Sequence, residues 1–200
     1  MVYIAIICLI LGIVCGQWIF LDDWIFFLTQ NSVNILYLLM ITVGISVGMN
    51  KQVFNKIKEY HIKILIIPVG TIIASVIGGL VSSWILGIDA KDGAAIASGL
   101  GWYSLSGVLI TELAGAQIGA IAFMSNLMRE ILSYIMIPYV AKNFNKYTAI
   151  APAGATSEDT TLPMLIKYTS EDVVVMAIFN GIICSAMVPV LIKLIYTIFP

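Results

Sequence analysis

Long apolar runs separated by short polar stretches make up most of this chain. Five runs reach the roughly 20 residues a helix needs to cross a bilayer: Val2–Phe20, Ser32–Met49, Ile62–Leu86, Ile118–Ala141 and Val173–Phe199. Two further segments, 93–117 and 147–171, fit neither span nor loop. Both are too apolar for aqueous loops and too interrupted for spanning helices. The first carries SGLGWYSLSG (98–107), the second APAGATSEDTTLP (151–163). Gly, Pro and hydroxyl interruptions leave backbone groups that lipid cannot satisfy. Such backbone persists at membrane depth only when buried in protein or lining a wet cavity. The pattern predicts an all-α polytopic membrane protein with a single membrane-transport domain. It has about five transmembrane helices (about 2–20, 32–49, 62–86, 118–141 and 173–199) plus two re-entrant, broken helical hairpins from opposite sides. Their tips are expected to meet near the midplane, a recurring way to build a transport site.

Charge sets the orientation. Lys51, Lys56, Lys58 and Lys63 surround the second loop, whereas the first has Asp22 and Asp23 and no basic residue. The positive-inside rule makes the second loop cytoplasmic. The N-terminus is then cytoplasmic, Gly87–Asp92 outside, Lys142 and Lys146 inside and the C-terminus outside. Trp18, Trp24 and Trp84 fall near the outer boundary, where aromatic belts sit. Residues 1–20 lack a basic n-region and a small-residue cleavage site, and read as a retained helix.

Composition narrows the function classes. Apolar residues make up 60% and charged residues 10%, against about a quarter charged in soluble domains. No basic tract with interleaved aromatics occurs, so nucleic acid is not a partner. Cys8, Cys15 and Cys184 lie in apolar runs without CxxC spacing, and His61 sits in a charged loop. Neither a metal centre nor a disulfide framework is expected, and no cofactor. There is no nucleotide-binding GxxxxGK[ST], no HExxH, and no histidine partner for Ser106 in SLSG, so an enzyme is not expected.

Arg129 and Glu130 lie near the centre of the fourth span, where each charge costs roughly 2.5–3.5 kcal/mol. Adjacent helical residues point about 100° apart, so the two do not simply neutralise each other. Glu130 shares one face with Asn126, Ser133 and Tyr134, a polar stripe expected to face the protein interior. Arg129 is expected to find a carboxylate or carbonyl on a hairpin. The alternative is a structural ion pair with Glu158 or Asp159. Three carboxylates (Glu130, Glu158 and Asp159) against one arginine leave negative charge that binds a cation or takes a proton. That suits a cation transporter. Glu112 is a candidate entry or exit charge, or an ordinary interfacial carboxylate. Trp102 and Tyr103 are candidates to stack on a cation, or core and belt residues. Gly99, Gly101, Gly107 and Gly154 are candidate hinges or close-packing positions.

These pieces, SGLGWYSLSG, TELAGAQIGAIAF, an RE pair in the next span and GATSxDxTLP, are long, ordered and correctly spaced. Over them the chain resembles the LysO lysine-exporter family of bacterial inner-membrane proteins. The resemblance implies export of L-lysine and analogues such as thialysine from the cytoplasm. It maps the membrane acids that matter to Glu130 and Asp159, and puts Glu158 at a variable position. Full-length members resemble this chain over their C-terminal two thirds and carry about three further N-terminal spans. The resemblance therefore implies a small membrane partner chain or a homodimer.

Lysine carries two ammonium groups and a carboxylate at pH 7. Glu130 and Asp159 would each receive an ammonium or exchange it for a proton. Ser104, Ser106, Thr156 and Ser157 at the hairpins, with free amides at half-helix N-termini, would hold the carboxylate, and Thr161 is a further candidate for substrate or ion binding. Proton antiport is the expected coupling, with Na+ at hairpin carbonyls and hydroxyls as rival. Two other functions fit the residues: a monovalent cation–proton antiporter, and a non-transporting membrane subunit of a two-chain exporter.

Overall fold

A computed structural model describes residues 65–199, together with Ile7, residues 11–19, Asn31, Asn34, Leu38, Ile41, Ile45 and Met49. The chain divides into two compact units, Met1–Ser46 and Val47–Pro200. In the first, residues 11–14 are α-helical and lead into a π-helical turn, Cys15–Ile19. The spans expected at 2–20 and 32–49, and the lysine-rich loop that set the orientation, lie largely outside the described residues.

Helices joined by turns, with no strand, make up the described residues of the second unit. We label its helices α1 (Ile66–Leu86), α2 (Ala90–Ala97), α3 (Tyr103–Ala114), α4 (Ala116–Asn143), α5 (Leu162–Tyr168) and α6 (Glu171–Ile198). Two 3-10 turns, Thr148–Ile150 and Gly154–Glu158, lie between α4 and α5. Three helices, α1, α4 and the Val173–Ile198 part of α6, are long and apolar enough to cross a membrane. Their ends lie within a few residues of the three runs read from the sequence.

α1 shows why a uniformly apolar run still has an inside. Ile66, Val69, Ile73, Ile77 and Trp84 are exposed on one side. Thr71, Ser75, Gly79 and Ser83 recur every four residues and line the other. Such a stripe of small residues lets helix backbones approach closely. α2 uses it: a Cβ on Gly79 would lie 2.4 Å from the Gly93 carbonyl oxygen and 2.7 Å from Ala97 Cβ. Gly87, in the left-handed region at φ +67, ends α1, and its N–H donates to the Ser83 carbonyl.

The chain then doubles back. α2 runs down α1, bringing Ala97 to Gly79. A tight turn follows at 98–102, with Leu100 at φ +50 and Gly101 at φ +97. α3 returns along α4, Gly107 packing on Phe123 and Thr111 on Gly119. Gly115, at φ +89, separates α3 from α4. The doubled-back segment is therefore 90–114, three residues earlier than the 93–117 read from the sequence. The glycines at 87 and 115 set its ends, because both provide backbone turns that the apolar count does not register.

The segment between α4 and α6 does the same from the other end, with 3-10 turns in place of its first helix. Ile137 and Val140 of α4 pack with Ala149, Ile150, Leu165 and Val173 in one apolar cluster. Gly154 turns the chain at φ +58, and α5 leads back to α6. The two turns meet where the Ala155 N–H donates to the Leu100 carbonyl at 2.9 Å.

Candidate functional site

Glu130 sits at the centre of α4 beside this junction. It is 1% exposed, and neither carboxylate oxygen has a hydrogen-bond partner among the described residues. Its face of α4 is the polar stripe: Asn126 and Ser133 are buried, and Tyr134 is half-buried. Asp159, just past the second turn, is exposed and accepts a hydrogen bond from the Thr160 N–H. Asp159, Tyr103 and Tyr134 all lie within electrostatic reach of Glu130. The Tyr134 hydroxyl donates to the Thr160 carbonyl at 2.6 Å, and the buried Thr160 Oγ1 makes no hydrogen bond of ordinary geometry among the described residues but lies beside both Glu130 and Asp159. A buried carboxylate and an exposed one thus lie near each other, with two phenols and the Thr160 hydroxyl beside them. A buried carboxylate without partners is costly unless it meets a cation or takes a proton.

Arg129 points away from this pair. Its Nη1 donates to Ser75 Oγ at 2.8 Å and its Nε to the Pro152 carbonyl at 3.5 Å. The expected carbonyl on the second segment is therefore found. The alternative ion pair with Glu158 or Asp159 is not formed. Asp159 lies on the Glu130 side of α4, about 100° round the helix. Glu158 turns to α6, where Gly181 leaves it room and the Ser185 hydroxyl donates to it at 2.9 Å. Arg129 instead lines a cavity of about 520 Å³ between α1 and α4, with Thr71, Ser75, Ser125, Ser133 and Pro152.

Several candidates prove to be braces. Asn126 Nδ2 donates to the Ile96 and Ala122 carbonyls, and its Oδ1 accepts from the Gly101 N–H, each within 2.9 Å. It clamps the first turn. Ser106 donates to the Trp102 carbonyl, Thr156 to the Ala153 carbonyl and Thr161 to the Thr156 carbonyl. Ser157 donates to the Ala177 carbonyl of α6 at 2.7 Å. Thr156, Ser157 and Thr161 thus donate to irregular backbone, and Ser106 to the carbonyl one turn back in α3. Ser104 is half-buried on α3 and Glu112 is exposed near the end of that helix. Trp102 is half-buried, and the Tyr103 ring packs edge-on against Phe123 at 5.2 Å.

Sequence reasoning named neither Thr160 nor Asn180 as a site residue. Asn180 mirrors Asn126: from the middle of α6 its Nδ2 donates to the Gly154 carbonyl at 2.9 Å and to Ser157 Oγ at 3.0 Å. An amide alone in an apolar span was the available sign, because such a residue must face the protein interior. No cluster of three or more His, Cys, Asp or Glu residues that would hold a metal occurs among the described residues.

No solved structure matches the chain. The Escherichia coli protein named lysine exporter LysO is 40% identical over 164 residues, 82% of this chain and 54% of that protein. The chain thus spans about half the length of that relative. A Haemophilus influenzae relative, provisionally named a lysine exporter, is 36% identical over 184 residues, 91% of both chains. The sequence model of the lysine exporter LysO family, a family of transporters and not of enzymes, matches residues 6–196, and the chain belongs to that family.

Proposed function

We propose that this chain is a secondary transporter that exports L-lysine, and analogues such as thialysine, across the bacterial inner membrane in exchange for protons. The observation that carries this reading is Glu130: a carboxylate buried at the centre of a membrane-length helix, unpartnered among the described residues, beside Asp159. Such a group holds either a proton or a cation, and alternation between the two is what an antiporter requires. The relatives' names supply lysine as the cation. In this reading 90–114 and 147–171 are re-entrant hairpins whose tips meet at Leu100 and Ala155. The N-terminus is cytoplasmic and the C-terminus outside. Exporting a cation against an inward-negative potential costs about 2.3 kcal/mol per charge per 100 mV, so proton entry drives the cycle. Na+ is the rival coupling ion. In this reading the chain works with a second copy or with a small membrane partner.

The test is lysine counterflow in proteoliposomes containing this chain alone, wild type beside Glu130→Gln and Asp159→Asn. Uptake by wild type, driven by a pH gradient and lost in both variants, supports the reading. Uptake surviving both substitutions removes the site assignment. Uptake driven by a sodium gradient alone replaces protons with Na+.

A further inference from the structure

We infer that Arg129 anchors the carboxylate of the transported amino acid in the cavity between α1 and α4. This deepens the export reading and rests on it.

Three observations carry the assignment. First, Arg129 is a membrane-depth cation without a counter-charge among the described residues. Its two hydrogen-bond partners, Ser75 Oγ and the Pro152 carbonyl, are both neutral. A guanidinium has five N–H groups in a planar fork that matches a carboxylate, and the remaining ones have no acceptor among the described residues. Second, the guanidinium stands between two cavities. The larger, about 520 Å³, extends toward Ser133. The smaller, about 290 Å³, extends past Asn126 toward Ile88 and Ile121. Arg129 and Ser75 line both, so a ligand can reach the guanidinium from either end of the α1–α4 groove. Third, Thr71 lines the larger cavity, is 5% exposed, and its Oγ1 has no partner among the described residues. A helical threonine ordinarily turns that oxygen to a carbonyl one turn back. A guanidinium with N–H groups to spare and a threonine, both lining one cavity, are partners a carboxylate takes.

The chemistry of the cargo selects the ligand. A basic amino acid presents ammonium groups and one carboxylate, and α4 presents Glu130 and Arg129 on adjacent faces. The acid pair accounts for the ammonium groups alone. A carrier with only that pair would also take diamines. Arg129 supplies the discrimination, because a site built to pair a carboxylate is left with a desolvated charge when the ligand lacks one.

The experiment is lysine counterflow by the full chain in liposomes, with competition by L-lysine and by cadaverine, which has both amines and no carboxylate. Wild type should prefer lysine by at least about tenfold. Arg129→Gln should weaken lysine at least about tenfold while leaving cadaverine unchanged, so that the preference collapses. Thr71→Val is nearly isosteric and loses no hydrogen bond. It should raise the KM for lysine about threefold or more at unchanged thermal stability, a change that a merely structural role would not produce. If Arg129→Gln fails to fold, Thr71→Val decides. Retention of the preference in variants that fold overturns the assignment. So does a result in which Arg129→Gln alters only the dependence on anionic lipid, which would make the ligand a headgroup phosphate. Absence of lysine counterflow in wild type, with a partner chain supplied as well as without it, defeats the export reading itself, a result distinct from either.

Discussion

The Ala155 N–H and the Leu100 carbonyl form a 2.9 Å hydrogen bond that joins the two turns of this fold. Leu100 is fully buried and adopts φ +50, a conformation that L-residues rarely hold. The surrounding contacts keep it there. Gly154, at φ +58, makes the approach possible, because a Cβ at that position would lie 2.4 Å from the Leu100 oxygen and 3.1 Å from Arg129 Nη2.

Gly154→Ala should therefore separate the turns. The left-handed backbone and the clash together should cost about 2 kcal/mol or more. Thermal unfolding of the purified protein should fall by several degrees, and lysine counterflow should fall with it. An unchanged unfolding temperature would show that the junction is not tight.

The two buried asparagines make a second prediction, about braces. Asn126→Leu leaves the Gly101 N–H and the Ile96 carbonyl without side-chain partners, and each such loss costs about 1–3 kcal/mol. Asn180→Leu removes the amide from the Gly154 carbonyl and from Ser157. Both variants should unfold at lower temperature. Asn126→Leu should be the worse, because it strands a buried N–H as well as a carbonyl. Equal and negligible shifts would mean that the turns hold without the clamps.

The sequence made the frame legible. Runs of apolar length gave α1, α4 and α6, and the Gly, Pro and hydroxyl interruptions located both doubled-back segments. Glu130 and its stripe with Asn126, Ser133 and Tyr134 followed from helical spacing alone. What the pattern could not reveal was which polar groups remain available. Arg129 reaches Ser75 from 54 residues away, and Glu158 reaches Ser185 across 27. Such pairings are tertiary and leave no local trace. The hydroxyls of Thr156, Ser157 and Thr161 cluster where 3-10 turns leave carbonyls that need donors.

Helix approach gives a third prediction with an internal control. Gly93→Ala would place a Cβ 2.5 Å from Ser83 Cβ and 2.6 Å from the Gly79 oxygen, whereas Gly70→Ala meets nothing within 4 Å. Both positions are helical. Gly93→Ala should destabilise by about 1–3 kcal/mol through overpacking of α1 on α2. Gly70→Ala should be neutral or stabilising by up to about 1 kcal/mol, because alanine restricts the unfolded chain. Thermal scans of both variants check the contrast, and destabilisation by Gly70→Ala would contradict the open face of α1.

Stability and transport should separate at Glu130. A residue kept for folding usually loses hydrogen bonds when changed, yet neither Glu130 oxygen has a partner among the described residues. Glu130→Gln keeps the shape and removes a charge that is expensive to bury. The variant should therefore be as stable as wild type, or more stable by up to about 3 kcal/mol, while lysine counterflow falls to background. Asp159→Asn should behave alike for a different reason: the amide oxygen still accepts the Thr160 N–H, so the local turn survives without its charge. Unfolding temperature and counterflow measured on the same preparations separate the possibilities. A destabilised, inactive Glu130→Gln would make Glu130 a structural group, whereas a stable, inactive one assigns it to the cargo or its coupling proton.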